Sequence, residues 1–367
     1  MTDPPSLTAQ ARRSVRLHDD AAASAAAAGL AYVTDSAPGF SRTRHGRGFA
    51  YRDPRGRAAS ARQVSRIGRL AIPPAWQEVW ICPSPDGHLQ ATGLDDRGRK
   101  QYLYHPRWRE LREGLTFDRL ALVGSVLPEI RATVRAQLRR RAIDRPRVLA
   151  GMLHLLDLTG IRIGNETYER DNDSIGLTTL RWSHVSMHGA VATLAFPAKS
   201  GQRTEIDVTD TSLSRLLLAL EDRSRRRVFR VDGRVVRADE LNAYLSDLAG
   251  AHITAKDFRT WRGTVAALAQ LRALPPDRRP TNRSCLAAID AAAHALNNTR
   301  AVARAHYVHP GLIEAFRSGT LGPAPDPQPH EFLLAGEVDL LALLPALGRH
   351  HPAARTAADE PGRSPRG

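Results

Sequence analysis

Four short segments hold the residues with the most chemical potential: TGIRIGNE with Arg162, FPAKSGQ with Lys199, KDFRTW with Lys256 and Arg259, and LNNTRAVARAHYVHP with Asn298 and Tyr307. Guanidinium forks suit oxyanions, ammonium groups can surrender a proton, and phenols can attack as nucleophiles. Taken singly, none of the four is a motif. Arg162 could cap the helix before it, and Tyr307 could be a core tyrosine with a satisfied hydroxyl. The lysines stand out for a compositional reason. Lys100, Lys199 and Lys256 are the only three among 53 basic residues, the rest being arginine. Each therefore raises the question of what arginine could not do there, with chance survival as the plain alternative.

The elements that must position these groups fall into two kinds. Residues 1–28 read as a tail and a short Ala-rich helix. Over 29–110, turn signals such as Pro85-Asp86-Gly87 and Asp53-Pro54-Arg55-Gly56 separate the β-favouring stretches LAYVTD, GFAYRDPRGR and EVWICPSPDGHLQATGLDDRGRKQYLYH. This predicts a small N-terminal β-sheet domain with one helix near 61–70. Past Trp108 the apolar spacing becomes three to four, and FDRLALVGSVLPEIRATVRAQLRRR and PRVLAGMLHLLDLTG read as helices. The fold class is thus α+β, with a mainly α-helical domain over 111–322 broken by two short β-ribbons. AVATLAFPAKSGQRTEIDV turns near Lys199-Ser200-Gly201, and RVFRVDGRVVRA turns at Asp232-Gly233. Further helices are predicted at 238–249, 256–273, 284–296 and 310–317. Residues 323–367 read as a partly disordered C-terminal tail in which EFLLAGEVDLLALLPALG could dock as a short helix.

Charge narrows the function. The net charge is +15, and a chain this basic suits a polyanionic partner. Residues 42–69 hold nine arginines, Arg44 and Arg47 among them, against one aspartate, with Phe49 and Tyr51 interleaved. That density favours phosphate contacts over a merely solvated face. Two cysteines, Cys82 and Cys285, exclude a disulfide scaffold and suit a reducing cytoplasm. No apolar run approaches the ~20 residues that span a bilayer, so membrane and secreted classes are set aside.

Together and in this order, the four segments resemble the type IB DNA topoisomerases, specifically the compact poxvirus-like enzymes found in bacteria. The resemblance runs from about Gly29 to about Gly322 and includes YVTDSAPGF, AIPPAWQEVWICP, LQATG and RGRKQYLYHPRWRE, which look like that family's DNA-clamping sheet domain. It implies a tyrosine recombinase/topoisomerase IB-like catalytic fold, with Tyr307 as the nucleophile that forms a 3′-phosphotyrosyl link. Arg162 and Arg259 would bind the non-bridging phosphate oxygens, and Asn298 would donate one hydrogen bond where many relatives have histidine. Lys199 would protonate the departing 5′ oxygen, and Lys256, one helical turn before Arg259, would support the phosphate or the proton transfer. Arg97, Arg99, Lys100, Tyr102 and Tyr104 would contact grooves and phosphates, the tyrosines sharing one strand face. The implied enzyme relaxes positive and negative supercoils of double-stranded DNA without ATP or metal, as a cytoplasmic monomer that clamps the duplex in a C shape. Five positions depart from the family pattern: Ala198 and Asn297 stand where glycine is usual, Gln202 where many relatives have a basic residue, Leu94 where bacterial relatives often carry arginine, and Arg262 in RTWRG.

Cofactor motifs are lacking. His306 and His309 have an H-x-x-H look without Glu or Cys partners at zinc spacing, and there is neither a D-x-D cluster nor a G-x-x-x-x-G-K-[ST] loop. Two rival functions remain. A tyrosine recombinase or integrase shares the Arg–Lys–Arg–Tyr logic, but such enzymes usually show H-x-x-R where this chain has Lys256-Asp257-Phe258-Arg259. A non-catalytic DNA-binding protein would have little reason to keep Arg162, Lys199, Arg259 and Tyr307 intact.

Overall fold

The computed structural model describes residues 17–166, 169–170, 173–198, 203–221, 226–275, 279–326 and 330–347. Lys199, the turn around it, and the end segment HHPAARTAADEPGRSPRG lie outside the described residues. Among those described, no helix is long and apolar enough to cross a membrane. The chain divides into two compact units, the first ending at Thr116 and the second starting at Phe117.

The first unit is a five-stranded antiparallel sheet built from β1 (Phe40–His45), β2 (Gly48–Arg52), β3 (Gln77–Ile81), β4 (Leu89–Leu94) and β5 (Lys100–Tyr104), in the order β2-β1-β3-β4-β5. Besides α1 (Ala21–Ala27), it contains α2 (Ala61–Arg69), started by a capping box in which Ser60 and Gln63 exchange bonds. Ile67 of α2 packs with Phe40, Val79, Ile81 and Ala91 of the sheet. The stretch LAYVTD is not a strand, only a single bridge from Ala31 to Gly87. Tyr32 stacks on His88 with ring centroids 4.6 Å apart, and the Val33 N–H donates to His88 Nδ1 at 3.1 Å. A side chain there takes the place of a ladder partner. Helix α3 (Pro106–Asp118) has no counterpart in the sequence reading, although Pro106 sits at a position that suits the start of a helix.

In the second unit, α4 (Leu120–Leu138) and α5 (Arg145–Thr159) form the first layer. Asp144 caps α5 at its start, and Gly160, at φ +62°, ends it in the left-handed conformation that glycine favours. A three-stranded antiparallel sheet follows: β6 (Val185–His188), β7 (Val191–Pro197) and β8 (Arg203–Thr209). Strands β7 and β8 are the expected ribbon. Strand β6 has no counterpart in the sequence reading: Val-Ser-Met-His alternates apolar and polar residues, but four residues are too few to stand out as a strand. Helix α6 (Thr211–Leu220), the small ribbon β9 (Arg230–Val231) and β10 (Arg234–Val235), and α7 (Ala238–Ala249) come next. Helices α8 (Ala255–Arg272), α9 (Asn282–Ala295), α10 (Arg300–His306) and α11 (Pro310–Arg317) complete the helical body. The final helix, α12 (Ala335–Leu347), docks on α4 and α8, as its apolar sequence suggested. Gly124 on α4 makes room for the Trp261 ring, since a Cβ there would come within 2.5 Å of it.

Candidate active site

Three loops and one helix bring Arg162, Arg259, Asn298 and Tyr307 together. The end of α5 turns at Gly160 and presents Arg162, whose loop is pinned when its carbonyl accepts from Leu177 N–H at 2.8 Å. Gly164 and Gly176 pack so closely that a Cβ on Gly176 would sit 2.6 Å from the Arg162 carbonyl oxygen. Helix α8 contributes Arg259 from a fully buried position, 3% exposed. Its start is fixed by Asp257, whose carboxylate accepts from the Thr254 N–H and hydroxyl at 2.8 Å each and pairs with buried Arg119 at 3.2 Å. The turn after α9 presents Asn298, and the residue that follows α10 is Tyr307.

Within this frame the arginines are held by neutral oxygens. Arg259 donates to the Gly160 carbonyl and, at 3.2 Å, to the Leu296 carbonyl. Its guanidinium lies 4.9 Å from the centre of the Tyr307 ring. Arg162 donates to Asn298 Oδ1. Because arginine can only donate, the Asn298 amide must turn its oxygen toward Arg162 and leave its NH2 free. Asn298 Nδ2 and Arg259 Nε are both buried without a partner in the protein, which is costly unless a ligand accepts from them. Among the described residues, no carboxylate comes within ion-pair distance of Arg162 or Arg259. These residues line a cleft of about 700 Å³ together with Ala198, Arg203, Arg262 and Asn297.

Electrostatics favour an ionisable phenol. Burial opposes ionisation of Tyr307, but the adjacent Arg259, then the charges of Arg162 and Lys256, outweigh it and hold the phenol below its ordinary range. Lys256 itself stands exposed on the first turn of α8. Burial and the neighbouring Arg259 charge push the Arg162 guanidinium down. Tyr244 shows the opposite environment: its hydroxyl is buried without a partner, and burial alone raises its pKa. Close packing also fixes the tyrosine backbone. A Cβ on Gly263 would lie 2.6 Å from the Tyr307 carbonyl oxygen, which accepts from the Thr264 hydroxyl at 3.2 Å.

The unusual Asn297 behaves as glycine would, at φ +47°, a region that asparagine tolerates better than most residues. Its amide also donates to Thr204 on β8, tying the Asn298 turn to the ribbon that carries Lys199. The sequence reading missed this link, and it missed the role of Gly160 as an acceptor for Arg259. His309 is not a ligand candidate: its Nδ1 accepts from Gly311 N–H at 3.0 Å as the cap of α11. Among the described residues, no three His, Cys, Asp or Glu side chains gather to hold a metal ion.

In the first unit, Tyr102 and Tyr104 stack on one face of β5 with centroids 6.0 Å apart, and Lys100 Nζ lies 5.8 Å from the Tyr102 ring centre. Lys100 also pairs with Asp35 at 2.6 Å. Arg99 pairs with Asp95 at 2.7 Å, and the Arg97 N–H donates to the same carboxylate. Bonds and charge from Arg99 bring Asp95 down to about 2. Arg44 and Arg47 are exposed at the β1–β2 hairpin, whereas Arg42 is spent on the Ile72, Pro73 and Trp76 carbonyls. The arginine-rich stretch is therefore part electrostatic surface and part structural staple.

Comparison with known proteins was made against this geometry. Residues 106–317 match the family model described as "Eukaryotic DNA topoisomerase I, catalytic core", and residues 48–95 match "Bacterial DNA topoisomerase IB, N-terminal domain". The chain is similar to "DNA topoisomerase 1B" of Acanthamoeba polyphaga mimivirus, 31% identical over 278 residues that cover 71% of this chain and 81% of the relative. It is also similar to "DNA topoisomerase 1" of Drosophila melanogaster, 27% identical over 53% of this chain and 21% of the relative. A third relative, "DNA topoisomerase 1B" of Vaccinia virus (strain Copenhagen), is 27% identical over 36% of this chain and 43% of its own.

Proposed function

The chain belongs to the DNA topoisomerase IB family, and from that membership we propose how its residues carry out the reaction. Tyr307 Oη, its proton released to solvent, attacks a phosphodiester of duplex DNA, forming a phosphotyrosyl bond to the 3′ side and breaking the bond to the 5′ oxygen. Lys199 gives that oxygen its proton. Arg162, Arg259 and the Asn298 amide hold the non-bridging oxygens, whose charge grows in the transition state. Lys256 adds positive charge beside the phenol. The free 5′ end swivels, torsion drives the motion, and attack of the 5′ hydroxyl on the phosphotyrosyl bond restores the strand. Because the covalent link conserves the bond energy, religation needs no ATP.

The observation that carries this reading is Tyr307 beside two arginines whose charge no carboxylate among the described residues cancels, with the unpartnered donors Arg259 Nε and Asn298 Nδ2 at the same cleft. Further support comes from the basic character of the chain. Its finer form is a monomer that closes around the duplex as a C-shaped clamp and works on the bacterial nucleoid, with Arg44, Arg47, Arg97, Arg99, Lys100, Tyr102 and Tyr104 on the DNA. The test is relaxation of plasmids supercoiled in either sense, with EDTA present and ATP absent, beside Tyr307→Phe. Wild type should relax both and trap a covalent adduct on denaturing gels, and Tyr307→Phe should do neither. Strict dependence on Mg²⁺ or ATP, a need for one specific site, or an adduct that survives Tyr307→Phe would overturn it.

A further inference from the structure

Helix α8 sends a second arginine into the cleft. Arg262 lies three residues after Arg259, on the same helix face, and lines the same cavity. Its partners mirror those of Arg259. Where Arg259 holds the Gly160 and Leu296 carbonyls, Arg262 reaches the Asp157 carbonyl with Nη1 at 3.5 Å and the Ala295 carbonyl with Nε at 3.4 Å. All four oxygens belong to the last turns of α5 and α9 or to the residue just beyond. There a helix runs out of intrahelical donors and carries negative partial charge. The stem of Arg262 also rests on the turn after α5, since a Cβ on Gly160 would come within 2.9 Å of its Cδ. Two residues past Gly160 comes Arg162, and two residues past Leu296 comes Asn298.

Arg259 faces two demands at once. Its donors hold the backbone ends of α5 and α9, and the same side chain must meet the phosphate. We propose that Arg262 resolves this as a positioning residue: it keeps the ends of α5 and α9 stapled to α8, so that Arg162 and Asn298 stay aligned when Arg259 turns donors toward the substrate. Arg262 itself does not touch the phosphate. Each of its bonds is long and individually weak, but a guanidinium placed between two helix C-termini adds a favourable charge–dipole interaction to both. The proposal rests on the reading of Arg162, Arg259 and Asn298 as the phosphate-binding set.

The test uses the full chain in single-turnover cleavage of a DNA duplex whose cleaved end diffuses away, with DNA binding measured over a salt series and a melting curve for each variant. Arg262→Met keeps the stem and loses the donors. It should bind DNA with unchanged affinity and salt slope yet cleave roughly 10- to 100-fold more slowly, the scale expected when reacting groups are misplaced by about an ångström. Religation should slow by a similar factor, leaving the cleavage equilibrium where it was. Arg262→Lys, which keeps the charge, should recover part of the rate. In an Asn298→Ala background, Arg262→Met should cost less, because one of the groups it aligns is gone. Should Arg262→Met melt too low to assay, Arg262→Lys and the double variant carry the test through their rates. Unchanged cleavage in Arg262→Met, or additive losses in the double variant, would overturn the proposal. So would a salt slope flattened by about 0.9, which would make Arg262 a direct phosphate contact. A wild-type protein that forms no Tyr307 adduct would instead fail the underlying site reading.

Discussion

Two arginine-rich regions of the second unit use the same side chain in opposite ways. At the junction of α4, α5 and α12, Arg131 is gripped by Asp157 at 2.7 and 2.9 Å and by Glu337 at 2.7 and 2.9 Å, and where α8 meets α12 Arg272 pairs with Asp339 at 2.8 Å. In the cleft, Arg162 and Arg259 are held by an amide oxygen and two backbone carbonyls. A carboxylate cancels the charge it binds. A carbonyl fixes direction and leaves the charge to act on whatever arrives. On the proposed reading, the difference separates arginines that build the fold from arginines that wait for an anion, and the cleft bears its cost in an Arg162 guanidinium pushed down by burial and then by the Arg259 charge.

The largest effects should come from the cleft. Arg162→Ala should slow single-turnover cleavage by roughly 10²–10³-fold, as expected for loss of one preorganised donor to a developing oxyanion, with melting nearly unchanged. A milder change of charge should show in the pH profile. The Tyr307 phenol is held low chiefly against burial by Arg259, so Arg259→Gln should raise its pKa and move the rise of cleavage rate to higher pH. A loss of rate with no alkaline displacement would mean that Arg259 acts on the phosphate alone.

Lys199 should give the next largest effect. Arginine holds its proton too tightly to serve as an acid, so Lys199→Arg should keep DNA binding and lose roughly 10²-fold or more in cleavage. A substrate with sulfur in place of the bridging 5′ oxygen needs no proton on its leaving group, and it should restore cleavage to Lys199→Ala but not to Arg162→Ala. Failure of that rescue would move the acid to another residue, with Lys256, whose charge reaches the Tyr307 phenol, the next candidate.

The charge-cancelled junction should answer differently. Glu337 lies below the usual carboxylate range: burial pushes it up, but bonds and charge from Arg131 pull it down further. A carboxyl depressed on folding contributes stability above its unfolded pKa and loses it as pH falls through the folded value. Glu337→Gln should therefore cost about 3 kcal/mol near neutral pH, the scale for breaking a buried pair, and should remove part of the acid sensitivity of melting. Below the folded pKa the two proteins should converge. If Glu337→Gln keeps its melting temperature but cleaves slowly, the division between building and waiting arginines fails.

Much of this was legible in the sequence because the active groups sit beside strong local signals. Pro146 and Gly160 bracket α5, the alternation of AVATLAF marks β7, and the Lys256–Arg259 spacing places both residues on one helix. What stayed hidden was tertiary. No local pattern says that Gly160 and Leu296 would supply carbonyls to Arg259, or that Arg262 would repeat the bridge one turn on. Strand β6 and the substitution of a His88 contact for a strand at LAYVTD depend on neighbours distant in sequence. The arginine-rich stretch 42–69 misled in part, since composition counts charges but cannot tell that Arg42 is spent on three backbone carbonyls.

The smallest expected effects lie in the first unit, where the same rule can be tested on an exposed surface. Arg44 and Arg47 have no carboxylate within ion-pair reach among the described residues, while Lys100 is matched by Asp35, which also accepts from Thr92 at 2.8 Å. Hydrogen bonding to Lys100, aided by Thr92, holds the Asp35 carboxyl low against burial, so the pair stays ionised across the range in which DNA is bound. If uncancelled charge is what reaches phosphate, Arg44→Ala and Arg47→Ala should each flatten the log–log dependence of DNA affinity on salt by about 0.9. Asp35→Asn should do the reverse. Relieved of its counter-charge, Lys100 becomes available to a phosphate, and the slope should steepen by a similar amount while affinity at low salt rises. An unchanged slope in Asp35→Asn would mean that Lys100 already leaves Asp35 when DNA binds. The pairing seen in the free protein would then be a resting state, and on this sheet a carboxylate partner would not mark a cation as structural.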